Sequence, residues 1–328
     1  MFDVLFLTYD DNANTGYRFW QCARHLGLNS AMFKGVRHSF GYPKQAPIHP
    51  SLANTPICTY PTTIMAPGTE SLINSSKVIH LIASTYPMAA VKWEKKKVVI
   101  QHGGSVYRQN PKASNDFFNG FVDKTIIQCP DLLGLGAKDE VLIYYPIDTN
   151  LIQPDFSKKG KSLVVGHFPS NPQVKGSKEI FGSISAVSLN HDIEYHGWHG
   201  DGSNGVVSWP SNLKRMKASD VIVECCAPDQ NGKPYGEWGN TALEAAASGC
   251  IVISNAVHRD IYEKEYGPLG VHVANDPESM KAELIRLSEL SDGELMAEKK
   301  ACRQWAEKYH SIPATAERLW NRVYSRYF

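Results

Sequence analysis

Residues 236–254 read GEWGNTALEAAASGCIVIS and combine a glycine-rich turn, an alanine-rich run and a β-rich apolar segment. In the turn, Gly239 precedes Asn240 and Thr241, two residue types that favour helix N-termini. The run ALEAAAS contains good helix formers and reaches Gly249, where glycine is suited to end a helix. The segment therefore predicts a short buried helix between two strands.

The start of this helix is expected to bind an anion. Its first backbone N–H groups lack partners within the helix, and the aligned peptide dipoles place partial positive charge at the same end. The preceding turn PYGEWG, at 234–239, lets a ligand approach the backbone closely. A phosphate group suits this position, beside Gly239, Asn240 and Thr241.

Glu244 lies one turn inside the predicted helix, among small and apolar residues. A carboxylate in such surroundings makes an internal hydrogen bond, accepts hydrogen bonds from ligand hydroxyls, or performs acid–base work on a sugar. The positive helix end favours the ionised form, and a residue one turn beyond the phosphate position is displaced toward the nucleoside. We therefore expect an ionised Glu244 to bind a ribose diol.

The chain as a whole alternates β-rich apolar runs with helical patterns, which is typical of parallel sheets covered by helices. Its 328 residues suit two domains of about 150 residues each. A polar segment at 148–161 predicts a linker, and a long charged helix is predicted over 277–310. The predicted strands lie at 4–9, 78–83, 97–102, 124–129 and 141–146, and then at 162–168, 192–197, 205–209, 220–226 and 250–254.

These patterns predict an α/β fold with two Rossmann-like lobes that face each other across a cleft. The first lobe is expected at 1–147, the second at 148–313, and a final helix at 314–328 is expected to return to the first lobe. Open α/β sheets bind their ligands at the carboxyl ends of the strands. The site residues are therefore expected in loops that follow strands.

The composition excludes a strongly basic or strongly acidic protein. The formal net charge is +1, so no whole-protein field attracts nucleic acid or membrane. The N-terminal sequence MFDVLFLTYD lacks a signal-peptide pattern, and no apolar run reaches the roughly 18 residues of a spanning helix. We expect a cytoplasmic protein without stable membrane insertion. The seven cysteines include no CxxC pair and are expected to be buried thiols.

The sequence VVGHFPSNPQVKGSKEI, at 164–180, predicts a second element of the site. A strand ends in Gly166, an irregular loop follows, and Lys175 and Gly176 precede a helix. The Lys175 ammonium would lie at the same cleft as the helix that begins at Asn240. As a point charge it would neutralise a diphosphate.

Two candidate sites are predicted in the first lobe. His102 ends a strand before Gly103, which places its imidazole near a sugar; a histidine bonded to a strand carbonyl fits the sequence equally well. Thr15 and Gly16 lead a helix whose N-terminus would face the cleft from the opposite side. Arg18, on the same helix, is expected to be an exposed charge.

The order of these motifs resembles the donor domain of family 4 retaining glycosyltransferases of the GT-B fold, which use sugar nucleotides. The resemblance rests on 164–180, on ASDVIVECCAPD at 218–229 and on EWGNTALEAAASGCIVISN at 237–255. YYPIDTNLIQP at 144–154 is similar to the segment that joins the two lobes in that family. The sequence at 306–328 is similar to the terminal helix that crosses back onto the first lobe.

The resemblance implies transfer of a sugar from a UDP- or GDP-linked donor to a hydroxyl acceptor, with retention of anomeric configuration. It also implies that no metal, covalent intermediate or other cofactor takes part, and the sequence contains no Asp-x-Asp triplet. The leaving diphosphate would be stabilised by the helix N-terminus and basic residues, and would accept the proton of the attacking hydroxyl. The implied catalytic residues are Lys175, Glu237 and His102, and the implied donor-binding residues are His167, Gly239, Asn240, Thr241, Glu244, Thr15 and Gly16.

Two positions depart from the family pattern. The family has two glutamates separated by seven residues, and counting back from Glu244 reaches Gly236, with Glu237 one residue later. His167 stands where the family often has an arginine that faces the donor phosphates. A partly protonated imidazole there would make donor affinity depend on pH.

The sequence is also compatible with other functions and partners. A nucleotide-sugar epimerase, a phosphorylase and a non-catalytic or degenerate nucleotide-sugar binder are alternatives. The acceptor, expected to be a glycan, a lipid-linked or a small molecule, would meet variable loops such as 34–50, which is expected to be solvated. Modified nucleic-acid bases are a minority option. His191, His196 and His199 do not repeat a zinc-binding spacing and are expected in surface or loop positions.

Overall fold

A computed structural model describes residues 1–53, 69–82, 96–199, 207–226, 229–230, 233–234 and 237–328. The chain divides into two compact units, which are described separately. Unit 1 comprises Met1–Pro146 and Ile312–Phe328, and unit 2 comprises Ile147–Ser311. Each unit is built on a parallel sheet, so the predicted α/β class with two parallel-sheet domains is confirmed.

The strands and helices are as follows in chain order. The strands are β1 Phe2–Thr8, β2 Ser30–Lys34, β3 Ser76–Ile82, β4 Lys97–His102, β5 Lys124–Ile127, β6 Glu140–Leu142, β7 Leu163–His167, β8 Ile193–Gly197, β9 Val221–Cys225, β10 Asp229–Gln230, β11 Lys233–Pro234, β12 Ile251–Ser254 and β13 His272–Val273. The helices are α1 Thr15–His25, α2 Pro50–Ala53, α3 Thr69–Asn74, α4 Gly104–Gln109, α5 Pro111–Phe118, α6 Pro172–Lys175, α7 Ser177–Val187, α8 Trp209–Lys217, α9 Asn240–Ala247, α10 Arg259–Tyr266, α11 Pro277–Ser288, α12 Asp292–His310 and α13 Ile312–Leu319.

Unit 1 contains a six-stranded parallel sheet in the order β2-β1-β3-β4-β5-β6. Both faces of β1 are covered: Val4 and Phe6 pack on the side of α1 and α13, whereas Leu5 and Leu7 pack on the opposite side. A strand that is buried on both faces is apolar throughout, which explains the unbroken run VLFL.

The C-terminal segment belongs to the core of unit 1. Leu319 of α13 packs in the same buried cluster as Phe19 of α1. The Tyr324 hydroxyl lies 2.6 Å from His80 Nδ1 on β3. Burial lowers the pKa of His80 to about 3, so the ring is neutral in this contact.

Unit 2 contains a five-stranded parallel sheet in the order β13-β12-β9-β7-β8, and β10 pairs with β11 in a separate antiparallel pair. The strand predicted at 205–209 is wrong in its described part, because Trp209 begins α8. Ser208 caps this helix through a bond from Ser211 N, and Pro210 occupies its first turn. Ser-Trp-Pro is therefore a helix start. Residues 205–206 lie outside the described residues.

The helix predicted over 277–310 is divided into α11 and α12. Ser291 caps α12 in a reciprocal capping box with Glu294, so the chain restarts a helix there instead of continuing one. Arg303 of α12 reaches back to the linker that follows Ile147 and donates to the carbonyl oxygens of Thr149 and Ile152, each at 2.8 Å.

Two further predictions concern the whole chain. Six of the seven cysteines lie in the described ranges, and all six are buried free thiols, as predicted. Of the helices that the structure describes, none has the length and apolar character needed to cross a bilayer.

Candidate functional site

The predicted helix of unit 2 is α9, which follows a turn and leads into β12. It begins at Asn240, with Gly239 as its N-cap. At its end, Gly249 N donates to Ala246 O at 3.0 Å and Cys250 N donates to Ala245 O at 3.1 Å, while Gly249 adopts a φ of +87°. These bonds form a Schellman motif, which confirms the predicted glycine stop.

The N-terminus of α9 carries no side-chain cap. Gly239 has no side chain that accepts a hydrogen bond, and the backbone there is extended, with φ −127° and ψ −159°. Asn240 and Thr241, predicted from their preference for the cap position, instead form the first helical turn. No side chain therefore caps the positive end of this helix.

Lys175 is held at the carboxyl ends of the central strands of unit 2. Its ammonium pairs with Glu224 Oε1 on β9, and its carbonyl oxygen accepts from Cys226 N at 3.0 Å. The second carboxylate oxygen, Glu224 Oε2, accepts from Ser254 Oγ at the end of β12 at 2.8 Å. The Glu224 side chain is 0% exposed and that of Lys175 is 17% exposed.

Glu224 also lies close to the start of α9. A Cβ atom built on Gly239 would lie 3.8 Å from Glu224 Oε1, the oxygen that binds Lys175. The Lys175 ammonium and the N-terminus of α9 therefore flank the same carboxylate oxygen. This arrangement brings together two of the elements that the sequence predicted separately.

Glu224 was not predicted from the sequence. The signal was present, because a glutamate interrupts the apolar run VIVECC at the end of a strand, where open sheets bind ligands. A buried carboxylate in such a strand needs a partner, and Lys175 supplies it.

Glu244 is buried in α9 and accepts a hydrogen bond from Trp209 Nε1 at 2.9 Å. Trp209 is the first residue of α8 and is itself buried. An internal hydrogen bond, one of the three roles considered for Glu244, is therefore present. It uses Oε1, and the ribose role remains a prediction.

Glu237 precedes the start of α9 and is bound to the loop after β12. Its Oε1 atom accepts from His258 N at 2.8 Å and lies 2.9 Å from His258 Nδ1. The Glu237 side chain is 1% exposed, whereas that of His258 is 28% exposed. His258, which no sequence pattern indicated, is thus the more accessible member of this pair.

His167 ends β7, but its ring nitrogens contact protein groups and not an open surface. Nδ1 lies 2.7 Å from Val223 O and Nε2 lies 2.6 Å from Ser177 Oγ. Because a carbonyl oxygen can only accept, Nδ1 carries the proton and Nε2 accepts from the serine hydroxyl. Burial lowers the pKa of His167 to about 4. The expected partly protonated, phosphate-facing imidazole is therefore wrong, and His167 instead fixes the start of α7.

The predicted anion site at Thr15 and Gly16 in unit 1 is also corrected. The buried carboxylate of Asp11 accepts from Gly16 N at 2.6 Å and from Tyr17 N at 3.0 Å, so it occupies the first amides of α1. Burial raises the pKa of Asp11 to about 6, although both backbone bonds and the nearby Arg18 oppose this shift. Arg18, expected to be exposed, is buried.

Gly16 lies in a tightly packed position. A Cβ atom there would come 2.8 Å from Met32 Cε and 3.0 Å from Asp11 Oδ1. Thr15 Oγ1 donates to Asn12 O at 2.8 Å, within the turn that precedes α1. The glycine and threonine therefore serve the strand-to-helix turn.

His102 ends β4, as predicted, and lies within an aromatic cluster. Its ring stacks on Tyr107 with centroids 4.2 Å apart, and Phe118 approaches edge-on at 5.5 Å. Burial lowers the pKa of His102 to about 3, so this histidine is a neutral aromatic group. The prediction that it touches the donor sugar is not tested by these contacts.

The loop at 34–50 is more ordered than the predicted solvated loop. Lys34 is buried, and its ammonium donates to Gln45 Oε1 at 2.6 Å. His38 is buried between Phe40 and Tyr42, with ring centroids 4.6 Å and 5.6 Å away. Other charged side chains of the loop at 34–50, such as Arg37, are exposed.

In the part of the chain that the structure describes, no group of three or more His, Cys, Asp or Glu side chains is placed to bind a metal ion. The histidines near β8 have separate partners. His196 pairs with Glu194 at 2.8 Å, His191 lies 3.2 Å from Ser288 Oγ, and the His199 ring meets that of Tyr195 at 5.4 Å.

Comparisons with known proteins agree with the arrangement of two parallel sheets. HepE of Anabaena, solved with UDP and glucose, matches over 99% of this chain and 100% of its own, with a TM-score of 0.61 and 12% identity. AviGT4, a glycosyltransferase involved in avilamycin A biosynthesis, matches over 99% of this chain and 98% of its own, with a TM-score of 0.55 and 13% identity. The fold is GT-B.

The N-terminal domain of Candida albicans trehalose-6-phosphate phosphatase also matches, over 98% of this chain and 97% of its own, with a TM-score of 0.57 and 11% identity. No protein-family model matches the chain. No curated protein matches it either. Because proteins with different names share this GT-B fold, the activity must be argued from the site.

Proposed function

We propose that this protein is a glycosyltransferase that moves a sugar from a UDP-linked donor to a hydroxyl acceptor, with retention of anomeric configuration. The donor site lies in unit 2, at the carboxyl edge of its sheet. The choice of UDP is supported by Anabaena HepE, which has been solved with UDP and with UDP-glucose.

The observation that carries the proposal is the approach of Lys175 and the start of α9 to one point. Both lie beside Glu224 Oε1: Lys175 forms an ion pair with it, and a Cβ atom built on Gly239 would lie 3.8 Å from it. A diphosphate at that point meets an ammonium group and the positive end of a helix at once. The GT-B fold supports this placement, because open α/β sheets bind ligands at the carboxyl ends of their strands.

These groups supply electrostatic catalysis. As the bond from the sugar to the diphosphate breaks, negative charge grows on the leaving phosphate oxygens. Lys175 and the α9 N-terminus stabilise that charge without reorganising, and the diphosphate accepts the proton of the acceptor hydroxyl. The proposal needs neither a metal ion nor a cofactor, because the protein itself supplies positive charge.

The remaining site residues have separate roles in the proposal. Glu244, oriented by Trp209 Nε1, binds the ribose. Asn240 and Thr241 provide amides to the phosphates. His167 acts only indirectly, by fixing Ser177 at the start of the helix that follows Lys175.

The acceptor is proposed to be a hydroxyl of a glycan, a lipid-linked or a small molecule. In unit 1, exposed Arg37 and the half-buried Phe40 lie beside the His38 cluster and offer a basic and aromatic surface. Such a surface suits a sugar ring or a phosphate-bearing acceptor.

The experiment is a donor and acceptor screen. UDP- and GDP-linked sugars are incubated with mixed glycan and lipid-linked acceptors, and nucleoside diphosphate release is followed. NMR of the product then determines its anomeric configuration. Release that depends on an acceptor, with the donor's configuration kept, supports the proposal. Binding of a nucleotide sugar without any release would instead favour the non-catalytic binder.

A further inference from the structure

The Glu237 and His258 pair has the geometry of an imidazole oriented by a carboxylate. One carboxylate oxygen, Glu237 Oε1, receives both the backbone N–H of His258, at 2.8 Å, and its ring Nδ1, at 2.9 Å. The double contact fixes the rotation of the ring as well as its position. The carboxylate is buried while the imidazole is partly exposed.

This geometry also fixes the tautomer. An ionised carboxylate only accepts, so His258 Nδ1 donates to it, and in the singly protonated ring Nε2 is therefore an acceptor. Within the described ranges, no protein group lies within hydrogen-bond distance of His258 Nε2. The pair therefore presents one oriented acceptor nitrogen.

The pair shares its two loops with the candidate phosphate site. Glu237 lies two residues before Gly239, and His258 lies four residues after Ser254. Both loops adjoin Glu224: Ser254 Oγ donates to its Oε2 at 2.8 Å, and a Cβ atom built on Gly239 would lie 3.8 Å from its Oε1. The imidazole and the Lys175 ammonium are thus anchored to the same edge of the sheet.

We propose that His258 Nε2 accepts a hydrogen bond from a hydroxyl group of the donor sugar, and that Glu237 is the positioning residue that holds it. This inference rests on the proposed function. An acceptor nitrogen backed by a carboxylate repels the anionic oxygens of a diphosphate but attracts a hydroxyl proton. The sugar, and not the phosphate, is therefore its partner.

The inference changes the role expected of Glu237. Its Oε1 is committed to two donors from His258 and its side chain is almost fully buried, so it acts on the sugar through the imidazole. The effect of substituting Glu237 on donor-sugar affinity should then depend on His258.

The test measures the affinities of UDP and UDP-glucose by calorimetry and also measures donor turnover. Four proteins are compared: the unsubstituted protein, His258→Ala, Glu237→Gln and the double variant. His258→Ala should weaken UDP-glucose about tenfold and leave UDP within about twofold. Glu237→Gln should weaken UDP-glucose to a lesser extent, and the double variant should match His258→Ala. His258→Gln, whose amide oxygen can replace Nε2, should recover part of the affinity.

His196→Ala is the matched control, because it removes an imidazole paired with Glu194 on the edge strand β8. It should leave both affinities unchanged. Equal weakening of UDP and UDP-glucose by His258→Ala, or additive effects of the two substitutions, would overturn the inference.

The outcomes separate this inference from the proposed function. If the unsubstituted protein neither binds nor transfers from any nucleotide sugar, the proposed function fails. If it binds and transfers while His258→Ala behaves normally, only the present inference fails.

¹⁵N NMR of His258 measures its tautomer populations independently of any ligand. The Nδ1–H tautomer should dominate, and Glu237→Gln should shift the population toward Nε2–H. A dominant Nε2–H tautomer in the unsubstituted protein would contradict the inference.

Discussion

The ammonium group of Lys175 lies against the buried carboxylate of Glu224, and the same carboxylate is fixed from its other side by Ser254 Oγ at 2.8 Å. The ion pair places the lysine beside the start of α9. It also places a negative charge where the proposed diphosphate meets the protein. The lysine is thereby oriented, but part of its charge is neutralised.

Glu224→Gln is therefore expected to strengthen UDP binding. The substitution removes a negative charge beside the phosphates and leaves a group that still bonds to Ser254, so affinity should rise several-fold at low ionic strength, on the order of 1 kcal/mol. Calorimetry at about 0.02 M and about 0.2 M salt measures this effect, which should shrink at the higher salt concentration. Glu194→Gln, an exposed control on β8, should change affinity by less than about twofold. Weaker UDP binding in Glu224→Gln would show that orientation of Lys175 outweighs repulsion.

Glu244→Gln tests ribose binding. The neutral amide keeps the shape but weakens a charge-assisted bond to the diol, so donor affinity should fall by about 1.5 to 3 kcal/mol, and the donor KM should rise more than kcat falls. Trp209→Phe, which removes the indole N–H that orients Glu244, should produce a smaller change of the same kind. Steady-state kinetics on both variants is the measurement. Lost turnover with an unchanged donor KM would favour acid–base work by Glu244.

The pH dependence of stability tests the role found for His167. Its pKa is about 4 in the fold and 6.5 in its ordinary state, so the unfolded chain binds more protons between these values. Stability contributed by the neutral ring is thus complete above pH 6.5 and is lost as pH falls toward 4, by at most about 3 kcal/mol. The unfolding free energy of the unsubstituted protein minus that of His167→Gln should therefore shrink over this range. A constant difference in urea titrations would refute the assignment.

Asp11→Ala separates structural from ligand-binding roles at the start of α1. Removal of the carboxylate leaves the buried amides of Gly16 and Tyr17 without their acceptor, so the unfolding free energy should fall by about 1 to 2 kcal/mol. Affinity for UDP should be unchanged, because the proposed donor site lies in unit 2. Denaturant unfolding and UDP calorimetry on the same sample measure both quantities. Reduced UDP affinity in a folded variant would restore the donor-binding role first expected of Thr15 and Gly16.

Local signals in the sequence predicted the elements whose boundaries depend on neighbouring residues. Gly239 marks the start of α9 and Gly249 marks its end, because a helix N-terminus and a Schellman motif each depend on only a few adjacent residues. Similar signals were present but not used at Trp209, where Ser208 and Pro210 start a helix. A capping box at Ser291 likewise separates α11 from α12.

Contacts between distant segments were not predicted. Asp11 occupies the amides that were expected to bind a ligand, and Val223 and Ser177 occupy the nitrogens of His167. Glu224 meets Lys175 across 49 positions of sequence, through a pairing of strands that only the fold creates. Motif order predicted the fold, whereas the partner of each charge depended on packing.

The central claim is that Lys175 and the N-terminus of α9 bind one diphosphate. Its most direct test is the calorimetric affinity of UDP for the unsubstituted protein and for Lys175→Ala, with Lys281→Ala as a control at an exposed pair with Glu278. Lys175→Ala should lower the affinity by roughly tenfold to a thousandfold, and Lys281→Ala should leave it unchanged. Equal UDP affinity in the unsubstituted protein and Lys175→Ala would contradict the claim.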